Sequence, residues 1–128
     1  MNPKEINKMT RAKVRLILSH PFFATVALGL GYVQDNAIET ACTNGLEIRY
    51  NPKFVESLTV DECTGLLAHE VMHVVSLHHT RRHNRDPRQW NRADEYVIND
   101  ILVKANFKLP TGALIDSQYS AMTTEAVY

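Results

Sequence analysis

Apolar residues such as Met9, Leu16 and Ile17 recur at helical spacing near the start of the chain, and basic residues occupy the opposite face. The pair Asn2-Pro3 is typical of a helix start, because asparagine is a favoured cap and proline fits the first turn. After a further proline, the apolar segment from Phe22 to Leu30 predicts a second, mostly buried helix. The pattern therefore predicts two consecutive helices at this end of the chain.

A β-hairpin is predicted next, with Thr43-Asn44-Gly45 between two arms at Ala37–Cys42 and Leu46–Tyr50. Asn-Gly supplies the positive φ angles that a tight turn needs. In the second arm apolar and charged residues alternate, which indicates a strand with one buried face. The residues of that face are Leu46, Ile48 and Tyr50.

Two longer helices are predicted in the second half of the chain. Thr59-Val60-Asp61-Glu62 is a capping-box pattern, so the first of them should run from Val60 to about His79. A basic loop over residues 80–89 precedes the second helix, Asn91–Ala105, which Asn106 can end in the left-handed conformation. The residues of the second helix that should face inward are Tyr96, Ile98, Ile101 and Leu102.

This order of elements predicts an α+β fold, mainly helical with a small β-sheet, in which the two longer helices adjoin beneath a sheet that contains Leu46–Tyr50. The length of 128 residues fits a single domain over residues 1–128. Fourteen Lys and Arg balance fourteen Asp and Glu, so charge favours neither nucleic acid nor a membrane as partner. The apolar stretch Phe22–Val33 is too short to cross a bilayer, and no signal peptide is recognisable, so we expect a cytoplasmic protein.

Histidine is unevenly distributed, since five of the six residues lie between His69 and His83. Among them, His69-Glu70-Val71-Met72-His73 matches the pattern H-E-x-x-H and lies within a predicted helix. Residues four apart project from one helix face, so both imidazoles can bind one metal ion, and Glu70 is placed to accept a proton from a water molecule on it. The neighbouring residues are apolar, and burying these polar groups without a ligand would be costly. The motif therefore predicts a metal site.

A catalytic zinc site needs a third protein ligand and an open fourth position. Glu95, Asp94 and His79 are the candidates. Helix geometry favours Glu95, because a glutamate on the second helix with Asn99 one turn later resembles the gluzincin arrangement, in which a polar residue orients a ligand histidine. His79 has the spacing of the extended metzincin pattern, but Ser76 stands where that pattern has a helix-breaking glycine. The predicted Zn²⁺ ligands are His69, His73 and Glu95.

Further motifs accompany the metal motif in a specific order. They are Thr43-Asn44-Gly45 with Tyr50-Asn51-Pro52, then Leu67-Ala68-His69-Glu70-Val71-Met72-His73, then His78-His79, Arg81-Arg82 and Asp86-Pro87, and finally Trp90-Asn91-Arg92-Ala93-Asp94-Glu95-Tyr96-Val97-Ile98-Asn99. With these motifs the sequence resembles the predicted metal-dependent peptidases that carry a von Willebrand factor A-like domain at their C-terminus. The resemblance extends from about residue 10 to the end of the chain.

The resemblance implies a zincin-like metallopeptidase domain with a gluzincin-type site. In that family the segment after the tryptophan usually reads W-N-x-A-x-D-Y-x-I-N, so Glu95 stands at the family's aspartate and is implied as third ligand in preference to Asp94. The glutamate, one methylene longer, departs from the pattern. The sequence ends where the family leads toward its second domain, and a helix start at Thr123-Thr124-Glu125 lies close to Tyr128. We therefore expect a chain truncated at its C-terminus.

The predicted function is that of a zinc endopeptidase acting on an extended peptide or protein, with Glu70 as general base. Leu46–Tyr50 is predicted to be an edge strand that pairs with substrate backbone, as in zincins. The alternative is a non-catalytic, metal-stabilised module that binds peptides, and the retained Glu70 argues against it because a structural site needs no general base. Nucleic-acid binding through the arginine-rich loop is disfavoured by the balanced charge and the lack of interleaved aromatic residues.

Overall fold

The computed structural model describes residues 3–75, 82–110 and 112–128, and within these ranges the side chains from Lys8 onward. Its helices are α1 (Pro3–Ser19), α2 (Pro21–Leu28), α3 (Pro52–Ser57), α4 (Val60–Val75), α5 (Pro87–Lys104) and α6 (Thr124–Val127). Its strands are β1 (Gly31–Gln34), β2 (Ala41–Thr43) and β3 (Glu47–Tyr50), and a short 3-10 helix covers Ser117–Tyr119. The fold is α+β, mainly helical with a small sheet, as the sequence predicts. No helix within the described ranges is long and apolar enough to cross a membrane.

The three strands form one mixed sheet in the order β1-β3-β2. β1 runs parallel to β3, and β2 runs antiparallel to it. The predicted hairpin is confirmed, since Gly45 has a φ of 91° and the Asn44 side chain accepts hydrogen bonds from the amides of Leu46 and Glu47. With the strand order β1-β3-β2, β3 lies in the middle of the sheet and has a neighbouring strand on each side.

The sheet corrects three sequence predictions. Leu46–Tyr50 is not an edge strand, because β1, which the sequence pattern did not reveal, pairs with β3; the edge strand that packs against α4 is β2. The first arm of the hairpin is shorter than the predicted Ala37–Cys42, since the Asp35 side chain accepts from the Ala37 amide and starts a turn there. Leu46 precedes the strand and is exposed, so only Ile48 and Tyr50 form its buried face.

Two helix boundaries agree with the sequence patterns. At the start of α4 the Thr59 amide donates to Glu62 Oε1 at 3.0 Å, and the Glu62 amide donates to Thr59 Oγ1 at 3.1 Å, as a capping box requires. The predicted continuation of this helix to His79 lies outside the described residues. After α5, Asn106 has a φ of 68°, the left-handed conformation predicted for it. Local capping chemistry thus determines where these helices begin and end.

Other helix predictions are wrong in detail. The second helix is not mostly buried, because Phe22 and Leu28 are exposed and only one face of α2 reaches the core. α5 begins at Pro87 rather than at Asn91, because the Asp86 side chain accepts from the Gln89 amide and caps it. The pair Asp86-Pro87, assigned to the loop, is therefore a helix start of the kind that the sequence predicts for Asn2-Pro3. On α5, Ile98 and Leu102 are buried as predicted, whereas Ile101 is exposed.

α4 is the central element, because α1, α2, α5 and β2 all pack against it. Its residues from Cys63 to Ala68 are all buried, as are Glu70 and Val71. One residue of this run is Gly65, where an added Cβ would lie 2.0 Å from the carbonyl oxygen of Lys108. The missing side chain therefore lets the segment after α5 lie directly against the helix.

Replacing Gly65 with alanine should lower the free energy of unfolding by about 3 kcal/mol, the upper end of the cost of overpacking, because the Lys108 backbone has to move away from α4. Urea denaturation of the two proteins measures the difference. Gly29→Ala is the matched control, since its added Cβ would meet nothing nearer than 3.5 Å, and its effect should stay within about 0.5 kcal/mol. Equal losses in the two variants would show that the close approach at Gly65 is not what makes glycine necessary.

Candidate metal centre

The packing of α5 beside α4 brings His69, His73 and Glu95 together, with one potential ligand atom from each within 4.8 Å of the others. His69 Nε2 lies 3.0 Å from Glu95 Oε1 and 3.1 Å from His73 Nε2, and His73 Nε2 lies 3.1 Å from the same carboxylate oxygen. The three atoms form a nearly equilateral triangle. Bonds of 2.0–2.1 Å to a tetrahedral zinc ion would place ligand atoms about 3.3 Å apart, so the spacing fits one small metal ion.

The other ring nitrogen of each histidine is held by a residue of α5. His69 Nδ1 lies 2.8 Å from Asn99 Oδ1, and His73 Nδ1 lies 2.8 Å from Asp94 Oδ2. The Asn99 amide is oriented by its Nδ2, which donates to the carbonyl of Leu114 at 3.0 Å. Because both oxygens can only accept, each Nδ1 carries a proton, and each Nε2 is left to bind a cation. This is the way in which metal-binding histidines are usually oriented.

Burial and hydrogen bonding shift the pKa values of two residues in the cluster, His73 and Glu95. Burial lowers the pKa of His73, but hydrogen bonds to Asp94 and Glu95 outweigh burial and raise that pKa to about 10. Burial raises the pKa of Glu95, but hydrogen bonds from His69 and His73 outweigh it and lower that pKa to about 2. A proton on His73 thus supplies positive charge among these groups when no metal is bound, and metal binding has to displace it.

The three candidates for third ligand have different positions. Glu95, the predicted third ligand, points to both Nε2 atoms. Asp94 lies on the far side of the His73 ring, where it contacts Nδ1 instead of the ligand nitrogen. His79 lies outside the described residues. Asn99 lies one turn after Glu95 and contacts the His69 imidazole.

A cavity of about 310 Å³ opens beside the cluster. Its polar wall contains His69, Glu70, Glu95 and Asn99, and the apolar residues around it are Ala41, Phe54, Leu66, Leu109, Pro110 and Ala113. Glu70 is only 4% exposed, so its side chain is enclosed beside the clustered residues. Among the residues that the structure describes, no fourth histidine, cysteine or acidic residue joins the cluster. An ion there would have a position left for a water molecule or a substrate group.

A family model described as "Putative metallopeptidase domain" matches residues 4–128. The chain belongs to that family. Searches among curated proteins and among solved structures gave no match. Membership of a metallopeptidase family implies a metal cofactor and a peptide or protein substrate, and the cluster on α4 and α5 is a group of residues in this metallopeptidase domain that can hold such a metal.

One residue near the centre was not found from the sequence. The Thr124 hydroxyl donates to Asp94 Oδ1 at 2.7 Å, and both residues are 1% exposed. No local pattern links positions thirty residues apart, and the only signal was the helix-start pattern at Thr123-Thr124-Glu125, which indicates a cap but not a contact with α5. The C-terminal part of the metallopeptidase domain therefore reaches the surroundings of His73.

The raised pKa of His73 predicts how the stability of the metal-free domain depends on pH. A group whose pKa is higher in the folded state stabilises the fold fully below its unfolded pKa, here about 6.5, and this stabilisation is lost as the pH rises through about 10. In the presence of a chelator, the free energy of unfolding should therefore fall over this interval, by an amount on the order of a few kcal/mol. Urea denaturation at both ends of the interval measures the loss. His73→Gln should lose less free energy of unfolding over this interval. An equal loss in both proteins would contradict the raised pKa of His73 as the cause.

Proposed function

We propose that the chain is a zinc-dependent endopeptidase that hydrolyses bonds within an extended peptide or protein. The proposal is carried by the contacts at Nδ1: because Asn99 and Asp94 occupy this atom of His69 and His73, both Nε2 atoms face Glu95 Oε1. Two imidazole nitrogens and one carboxylate oxygen are a donor set of catalytic zinc sites. The absence of a fourth protein ligand among the described residues favours a catalytic site over a structural one.

Glu70 is the proposed general base. Bound zinc would supply Lewis acidity, which polarises the scissile carbonyl and acidifies the attacking water. Glu70 borders the cavity next to His69 and Glu95, and its carboxylate accepts the proton of that water and returns it to the leaving amine. Its burial keeps it within the enclosed part of the site, away from bulk solvent. Asn99 and Asp94 keep the two imidazoles in one orientation throughout.

The edge strand β2 is the proposed contact for the substrate backbone. The Asn51 amide donates to the Thr40 carbonyl at 2.8 Å, and in an antiparallel pair alternate residues face the partner strand. The backbone groups of Ala41 therefore point to the other edge of β2, and Ala41 lines the cavity. An extended peptide paired there could place a side chain against the apolar wall that contains Phe54 and Leu109.

Replacing Glu70 with glutamine tests the reaction. The variant should retain zinc, because Glu70 is not among the three clustered residues, and should lose about 100- to 10,000-fold in the rate of peptide hydrolysis, the usual contribution of a general base. A mixture of quenched fluorescent peptides reports cleavage, and elemental analysis reports zinc per chain. His69→Ala is the comparison that should lose both. A zinc-loaded wild type that binds peptides without cleaving them would instead support the non-catalytic module.

Two neighbouring substitutions test the ligand assignment. Glu95→Gln should weaken zinc binding more than Asp94→Asn, because Glu95 reaches both Nε2 atoms whereas Asp94 acts through His73. We expect Asp94→Asn to cost about 10- to 100-fold in affinity, as for other groups that orient a ligand histidine. Competition with a chromophoric chelator measures both. Loss of zinc in Asp94→Asn alone would make Asp94 the third ligand in place of Glu95. No effect in either variant would favour His79 as the third ligand.

A further inference from the structure

Asp94 uses its two oxygens for contacts in different parts of the chain. Oδ2 lies 2.8 Å from His73 Nδ1 on α4, and Oδ1 accepts from the Thr124 hydroxyl on α6 at 2.7 Å. Asp94 and Thr124 are each 1% exposed, so water has little access to these two contacts. A buried chain of contacts thus connects α6, through α5, to one of the clustered histidines.

A second connection has the same form. Asn99 Oδ1 lies 2.8 Å from His69 Nδ1, and Asn99 Nδ2 donates to the Leu114 carbonyl at 3.0 Å. Leu114 and Thr124 both belong to residues 112–128, the described part of the chain that follows the turn after α5. Both imidazoles are therefore oriented by residues of α5, each of which is in turn held by this C-terminal segment.

The segment is attached to α5 at several points. The Asp86 amide donates to the Tyr128 hydroxyl at 2.8 Å, and Gln89 Nε2 donates to the Tyr128 carbonyl at 2.8 Å. The rings of Tyr96 and Tyr119 lie 5.0 Å apart between their centroids. These contacts fix α6 along α5, so the Thr124 hydroxyl has a defined position relative to Asp94.

We propose that Thr124 is a positioning residue for the metal site: its hydroxyl holds the Asp94 carboxylate in the orientation that keeps the proton of His73 on Nδ1 and its Nε2 directed at Glu95. The inference rests on the proposed function in that it takes His73 as a metal ligand. Rotation about the last torsion of an aspartate is broad, so the contact at Oδ2 alone does not determine the carboxylate plane. The hydrogen bond at Oδ1, from a threonine on another element, restricts this rotation.

Thr124→Val removes the hydroxyl and keeps the shape of the side chain. Its zinc affinity should fall by about tenfold, the lower end of the effect of groups that orient ligand histidines, while Thr124→Ser should stay within about twofold of wild type. Chelator competition measures the affinity. The visible absorption spectrum of the Co²⁺-loaded protein should shift in Thr124→Val, because the ligand geometry at His73 changes, and a purely structural role would leave it unchanged.

Thr123→Val, at the N-cap of α6, is the matched control. The Thr123 hydroxyl accepts from the Ala126 amide and caps α6, but the residue is exposed, and among the described residues its hydroxyl has no partner on α5. This variant should weaken α6 but keep zinc affinity within about twofold of wild type, because the Thr124 hydroxyl that donates to Asp94 is retained. An equal loss of affinity in Thr123→Val and Thr124→Val would overturn the role of Thr124, as would wild-type affinity in Thr124→Val.

The outcomes separate this inference from the proposed function. A wild type that binds zinc and loses affinity in Thr124→Val, but cleaves no peptide, upholds the inference and refutes the peptidase. A wild type that cleaves peptides and is unaffected by Thr124→Val refutes the inference alone. A wild type that binds no zinc refutes both.

Hydrogen exchange in the wild-type chain provides a second test that needs no variant. Coupling between binding and folding is reciprocal, so zinc should stabilise α6 if Thr124 stabilises the zinc site. The amides of Val127 and Tyr128, which donate to the carbonyls of Thr123 and Thr124, should exchange severalfold more slowly in the zinc-loaded protein than in the chelated one. The Gly29 amide at the end of α2 should show no such change. Equal exchange of the α6 amides with and without zinc would overturn the proposal.

Discussion

The contacts at Nδ1 of His69 and His73 are the interaction on which the site depends. They place one proton on each ring at the atom that faces α5, and so they leave two nitrogen lone pairs and a carboxylate oxygen directed at one another. Three such atoms within 3.1 Å repel each other unless a cation lies among them. A proton can supply that charge in the metal-free chain, and a metal ion can supply more of it.

Three partners of the two imidazoles come from one stretch of α5. Asp94, Glu95 and Asn99 lie on this helix, so the distance and rotation of α5 against α4 determine the ligand triangle. The core maintains that packing, with Leu67 and Val71 of α4 and Ile98 and Leu102 of α5 buried in one cluster. Apolar contacts on either side thereby hold the polar site in place, so its buried side chains keep one arrangement.

The same packing shapes the cavity. Gly65 allows the segment after α5 to lie against α4, and Leu109 and Pro110 of that segment become part of the cavity wall. The polar groups and much of the apolar wall of the cavity therefore come from α4 itself, from α5 and β2, which pack against it, and from the segment after α5. The geometry of the candidate ligands and the shape of the space beside them depend on the same helix, so a change that moves α4 affects both.

The sequence by itself determined the local features: the H-E-x-x-H spacing on a helix, the capping box of α4, the Asn-Gly turn and the left-handed Asn106. Each depends on residues within a few positions of one another, so short-range geometry suffices to predict them. Only the tertiary structure decided that β1 pairs with β3, that Glu95 and not Asp94 faces both Nε2 atoms, and that Thr124 reaches Asp94. These outcomes depend on the rotation of α5 about its axis and on strand pairing across the chain, which are set by packing between elements distant in sequence.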